Sequence, residues 1–135
     1  MPSSIDSIVA LGVSAYLVVI ALLAGSFINL AADRLPRGES VVSPRSHCRS
    51  CGRVLGLVDL IPALGYVIRR GRCASCGAPI GASSPAVEAV CGAAMLASVA
   101  LLGPWPGALV GFATIAMVGA VAVGIGFGRL RRATR

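Results

Sequence analysis

Residues 8–30 read IVALGVSAYLVVIALLAGSFINL, an apolar run without one charged side chain. A bilayer's hydrocarbon core of about 30 Å takes roughly 20 helical residues at about 1.5 Å each, so this run is long enough to cross it. Two further runs follow, Ala86 to Leu102 and Gly107 to Phe127. The third meets the same length, and the second does so once its interfacial ends are included. None of the three repeats polar residues at a helical period, which a soluble bundle needs for its wet face. In hydrocarbon each backbone N–H and C=O must find a partner within its own segment. The chain is therefore expected to be an all-α membrane protein with three transmembrane helices. The composition agrees, with 56% apolar and 13% charged residues, where soluble domains carry about 25% charged. At 135 residues there is room for one compact unit.

The first run could be read as a secretory signal. The segment before it, Met1 to Ser7, has Asp6 as its one charged side chain and no basic residue, where a signal carries basic residues, and the apolar core of the run is longer than a signal's. It is expected to remain as the first span.

All twelve cations are arginine. Eight of them (Arg34, Arg37, Arg45, Arg49, Arg53, Arg69, Arg70 and Arg72) fall between the first two runs, and Arg129, Arg131, Arg132 and Arg135 follow the third. The N-terminus and the Gly103-Pro104-Trp105-Pro106 turn have none. The positive-inside rule puts the long loop and the C-terminus in the cytoplasm of a bacterial inner membrane, with the N-terminus and Trp105 outside. The basic excess thus answers to the bilayer, and no nucleic-acid partner is expected. The expected layout is residues 1–33 as the first helix, 34–85 as a cytoplasmic loop domain, 86–128 as a helical hairpin and 129–135 as a basic tail.

The loop carries the chemistry. Cys48-Arg49-Ser50-Cys51-Gly52 is followed by Cys73-Ala74-Ser75-Cys76-Gly77. Two cysteines three apart in a tight turn bring both sulfurs to one edge of a tetrahedron, and the glycine after them accepts positive φ. Two such turns predict a zinc-ribbon-like, four-cysteine site for Zn2+ built from Cys48, Cys51, Cys73 and Cys76. The surrounding arginines are expected to keep the sulfurs as thiolates. Disulfides are disfavoured by a reducing cytoplasm, and redox thiols remain the other reading. His47 is expected beside the ligands rather than among them, and Cys91 as a small apolar side chain. Leu60 to Arg70 has helical spacing, suiting a short helix at the membrane surface. Gly124-Ile125-Gly126-Phe127-Gly128 lies inside an apolar helix and is no nucleotide loop.

Five carboxylates are present: Asp6, Asp33, Glu39, Asp59 and Glu88. Glu88 falls about one turn into the second span, where an ionisable group needs a partner. Pairing with an arginine is the expectation, and a site shared with Asp33 is the alternative. Small residues recur at Ala86, Ala89, Ala93 and Ala97, expected to pack on the third helix. A second stripe, Ala116, Ala120, Gly124 and Gly128, with Gly107 and Gly111 nearer the start of the third run, is left for a neighbour in this chain or another.

Gly25-Ser26-Phe27-Ile28-Asn29, Arg34-Leu35-Pro36-Arg37-Gly38-Glu39-Ser40, Ser43-Pro44-Arg45-Ser46-His47-Cys48, Asp59-Leu60-Ile61-Pro62 and Arg70-Gly71-Arg72-Cys73 closely resemble the N-terminal region of bacterial type IV prepilin peptidases. That family comprises membrane aspartyl proteases that cut prepilin leaders, some of which also N-methylate the product. The resemblance implies the metal-site role for the four cysteines and gives Asp59 and Glu88 as candidate functional acids. It also implies a departure, because no Asp or Glu follows Glu88 and the family's aspartyl pair lies beyond this region. The expected role is a component of prepilin processing that depends on another membrane protein for proteolysis. The rival is a structural subunit of some other membrane complex reusing the zinc module, and a methyltransferase acting alone ranks last.

Overall fold

Apolar length dictates the architecture. The computed structural model describes residues 4–133, so Arg135 of the expected tail lies outside them. Helix α1 spans Ser4–Arg34, a one-turn helix α2 spans Leu64–Ile68, α3 spans Ser83–Leu102 and α4 spans Pro104–Ala133. Short 3-10 turns cover Leu35–Arg37 and Val58–Leu60. Three stretches, Ser4–Arg37, Ser83–Leu102 and Pro104–Arg132, are long and apolar enough to cross a membrane. Among the described residues there is no strand, only isolated bridges. The Leu60 to Arg70 stretch contains the short helix its spacing suggested, confined to Leu64–Ile68.

Helices α1, α3 and α4 pack against one another as a three-helix bundle. Its core is Ala21, Cys91, Met95, Val99 and Ile115, while Leu11, Leu101, Leu109 and Met117 face outward as lipid contacts would. Close approach depends on absent side chains. A Cβ placed on Gly25 would stand 2.8 Å from the Glu88 Cα, and one on Gly107 would stand 2.6 Å from the Val99 Cα. Backbone cannot yield at those distances, so glycine sets how near the helices come.

Two expectations about helix faces and ends change. Ala86, Ala89, Ala93 and Ala97 do not form the packing face; α3 packs through Glu88, Cys91, Gly92, Met95 and Val99 instead. In an all-apolar helix small size alone does not say which side meets a neighbour. The second stripe, which the sequence left open, divides: Gly107 and Gly111 pack with Ile115 against the other helices, while Ala116, Ala120, Gly124 and Gly128 lie outside the core. The turn between α3 and α4 shrinks to Gly103, with Pro104, Trp105 and Pro106 already in the first turn of α4. Proline is tolerated there because first-turn N–H groups have no helical partner. At the other end, α4 continues through Arg129, Arg131 and Arg132, so the basic segment is helical as far as Ala133.

A four-sulfur candidate metal centre

Each C-x-x-C-G unit folds as the same tight turn. The Cys48 N–H donates to the Arg53 carbonyl at 2.8 Å, and the Gly52 N–H donates to the Cys48 carbonyl at 2.8 Å. In the second unit the Cys73 N–H donates to Ala78 at 2.9 Å and the Gly77 N–H to Cys73 at 3.0 Å. Gly52 and Gly77 take φ of 73° and 68°, a left-handed conformation that glycine enters at no steric cost. Bridges His47–Val54 and Arg72–Pro79 close the turns at equivalent positions. The loop is thus a pair of matching knuckles.

The knuckles face each other. All four sulfurs lie within 4.8 Å of one another. The Cys48 and Cys76 sulfurs are 3.8 Å apart, and those of Cys51 and Cys73 are 3.9 Å apart. Zinc–sulfur bonds of about 2.3 Å put tetrahedral sulfurs about 3.8 Å apart. The donor set therefore fits a tetrahedral ion with little movement, and the four cysteines could hold a metal. His47 stands outside the set: its Nδ1 lies 3.0 Å from the Arg45 carbonyl oxygen.

The electrostatics differ from the arginine shell that the composition suggested. N–H groups of Cys51 and Ser50 aim at the Cys48 sulfur and lower its pKa. Those of Cys76 and Ser75 do the same for Cys73 and bring it down to about 6. Cys76 receives the Ala78 N–H, yet the Cys51, Cys73 and Cys48 sulfurs together with burial outweigh it and push the thiol up to about 11. Thiolate character at the two leading cysteines comes first from the knuckle backbone. Among the arginines, Arg53 lies beside Cys73.

Asp59 fastens the knuckles to the rest of the loop. Its carboxylate, 6% exposed, accepts Arg53 at 2.5 Å and Arg69 at 2.7 Å, and the Gly56 N–H at 2.9 Å. The Gly56 N–H leads in holding this carboxyl below the usual carboxylate range, burial opposes it, and Arg69 and Arg53 add to the lowering. Sequence reasoning placed Asp59 in the loop and missed this clamp, whose partners lie six and ten positions away.

Glu88 corrects the expected arginine pair. It is 4% exposed and accepts the Ala63 N–H at 2.5 Å and the Ser84 hydroxyl at 3.0 Å. Ala63 has φ of 54°, a strained position for a residue with a Cβ that persists only when its surroundings fix it. Glu88 is one of those fixings and pins the loop onto α3. Asp33 does not join it: Asp33 pairs with Arg37 at 2.6 Å and with Arg49.

Comparison with known proteins gives the family of the chain. The family model described as the bacterial peptidase A24 N-terminal domain matches residues 19–102. A prepilin leader peptidase/N-methyltransferase of Myxococcus xanthus is 43% identical over 77 residues, which cover 57% of this chain and 23% of that protein. One of Burkholderia pseudomallei is 34% identical over 123 residues, covering 73% and 40%. One of Bacillus subtilis is 40% identical over 74 residues, covering 55% and 30%. The chain thus spans between 23% and 40% of the length of these relatives. No solved structure matches.

Proposed function

The chain belongs to the bacterial A24 peptidase N-terminal domain family, and on that premise we propose that it is a zinc-stabilised inner-membrane component of prepilin processing whose proteolytic step depends on another membrane protein. The observation that carries this reading is the convergence of the Cys48, Cys51, Cys73 and Cys76 sulfurs to within 4.8 Å of one another inside the matched region. Cys48, Cys51, Cys73 and Cys76 would hold the ion and so join the two knuckles, with Asp59 holding the loop together and Glu88 tying it to α3. Asp59 and Glu88 are therefore holding groups of the loop in this proposal.

The carboxylates support partner dependence. Leader cleavage by an aspartyl mechanism needs two carboxyl groups sharing a proton. Here Asp33 and Glu39 meet arginines, Asp59 meets two, and Glu88 meets an N–H and a hydroxyl. At Asp59 the Gly56 N–H and the Arg69 and Arg53 guanidinium groups favour the charged form and work against a shared proton. The small residues of α4 outside the core, Ala116, Ala120, Gly124 and Gly128, are the surface we assign to the partner. With a prepilin in lipid vesicles, the purified chain should leave the leader intact, and cleavage should appear only when the partner is added. Cleavage by the pure chain, abolished in Glu88→Gln, would refute the proposal.

We place the loop and the C-terminus in the cytoplasm, on the arginine distribution. In intact cells an impermeant thiol reagent should label Trp105→Cys and spare Ser40→Cys. The reverse pattern overturns the orientation.

A further inference from the structure

Among the described residues, two that are buried carry formal charge, Arg34 and Glu88. Arg34 is 6% exposed, and its Nη1 donates to the Ser40 carbonyl at 2.8 Å. None of the ion pairs among the described residues includes it; Asp33, Glu39 and Asp59 are taken by Arg37, Arg49, Arg53 and Arg69. A guanidinium removed from water without a counter-charge is costly. Its position therefore favours an anion from outside the chain.

A cavity of about 210 Å³ opens at this group. Its walls include Arg34 and Arg45 together with Leu30, Val42, Leu55 and Leu60, and Arg34 also lines an adjoining cavity of about 550 Å³ whose walls carry Asp33, Glu39 and Arg49. The depth is set by α1. Leu30 ends the apolar run, and Arg34 lies about 6 Å further along the helix axis, past the hydrocarbon edge and in the headgroup layer. Apolar side chains stand out from the same loop, with Val42 83% and Leu57 84% exposed and Leu60, Ile61 and Leu64 exposed as well. A free phosphate would leave the apolar walls against water. A phospholipid satisfies both halves of the cavity: phosphate oxygens suit guanidinium forks, and the glycerol and upper acyl carbons suit Val42, Leu55 and Leu60.

We infer that the cavity between the C-terminal end of α1 and the loop binds the phosphate of an anionic phospholipid, held by Arg34 and Arg45 and continuous with the lipid contacts of α1. The site is distinct from the four sulfurs and needs no metal chemistry.

The test reconstitutes the full chain in nanodiscs of phosphatidylcholine mixed with phosphatidylglycerol and counts retained lipid by native mass spectrometry. Phosphatidylglycerol should be retained in preference to phosphatidylcholine. Arg34→Gln also removes the bond to Ser40, so the exposed Arg45 carries the decision. Arg45→Gln should cut phosphatidylglycerol retention about fivefold, the loss of one arginine's attraction to an anionic headgroup, while Arg129→Gln should leave it unchanged. Excess inorganic phosphate should not displace the lipid. Equal retention of the two lipids, unchanged retention in Arg45→Gln, an equal loss in Arg129→Gln, or displacement by inorganic phosphate overturns the inference.

Discussion

Cys73→Ser is expected to reduce bound zinc from one ion per chain to below about a tenth of that, with Cys76→Ser in the second position. Cys73 is the buried member of the four, 6% exposed, and its sulfur sits 3.9 Å from Cys51 in the opposite knuckle. Removing it takes away a ligand and one of the closest links between the knuckles. Replacing mere outer partners of ligands costs about 10–100-fold in metal affinity, so a lost ligand costs more. Because a small metal loop gains its folding energy from the ion, the same variants should expose the loop arginines to trypsin. Metal analysis of the detergent-purified protein decides the matter. Stoichiometric zinc surviving in the Cys73→Ser, Cys76→Ser double variant would sink the four-thiolate assignment.

The same site should lose metal as the medium becomes acidic. Ion binding needs thiolates, and protons compete for them. Cys76, pushed up to about 11, must give up a proton to bind at any pH below that value, which alone makes affinity fall about tenfold per pH unit. Cys73, brought down to about 6, begins to add its own proton as pH drops through that value. Zinc release should therefore steepen below about pH 6.

The three spans and the four cysteines were legible because their information is local. Hydropathy over twenty residues reports a span, and C-x-x-C-G reports a turn whose own backbone shapes it. Contacts between segments were not legible. Ala86, Ala89, Ala93 and Ala97 look like a packing stripe, yet the bundle uses another face with Cys91, Met95 and Val99. Nothing in an apolar helix marks one side as wet, so the pattern has no sign. Glu88 was recognisable as a group needing a partner, but besides the Ser84 hydroxyl one turn earlier its partner is a backbone N–H twenty-five residues earlier. Every residue except proline carries such an N–H, and only the strained turn at Ala63 turns this one toward the helix.

Asp59→Ala is expected to open the loop even in metal-loaded protein. The side chain is 6% exposed and holds Arg53, Arg69 and the Gly56 N–H together. Truncation leaves two part-buried guanidinium groups without their carboxylate, and breaking a buried pair from one side costs about 3–5 kcal/mol. Partial exposure of Arg53 and Arg69, 27% and 33%, argues for the lower end of that range. About 3 kcal/mol is roughly a hundredfold more of the open form, and proteolysis follows that population when closing outruns cleavage. Tryptic cleavage within residues 49–72 should then rise about a hundredfold, with Asp59→Asn intermediate because its amide oxygen still accepts the Gly56 N–H. The pH dependence has a definite sign. A carboxyl held below its ordinary value contributes its full stability above about pH 4, and loses it only as pH falls through the lower folded value. On acidification the zinc should therefore leave first and the Asp59 clamp open last. Cleavage of Asp59→Ala within twofold of the parent chain at neutral pH, with zinc bound in both, would mean that the carboxylate does not hold the loop closed.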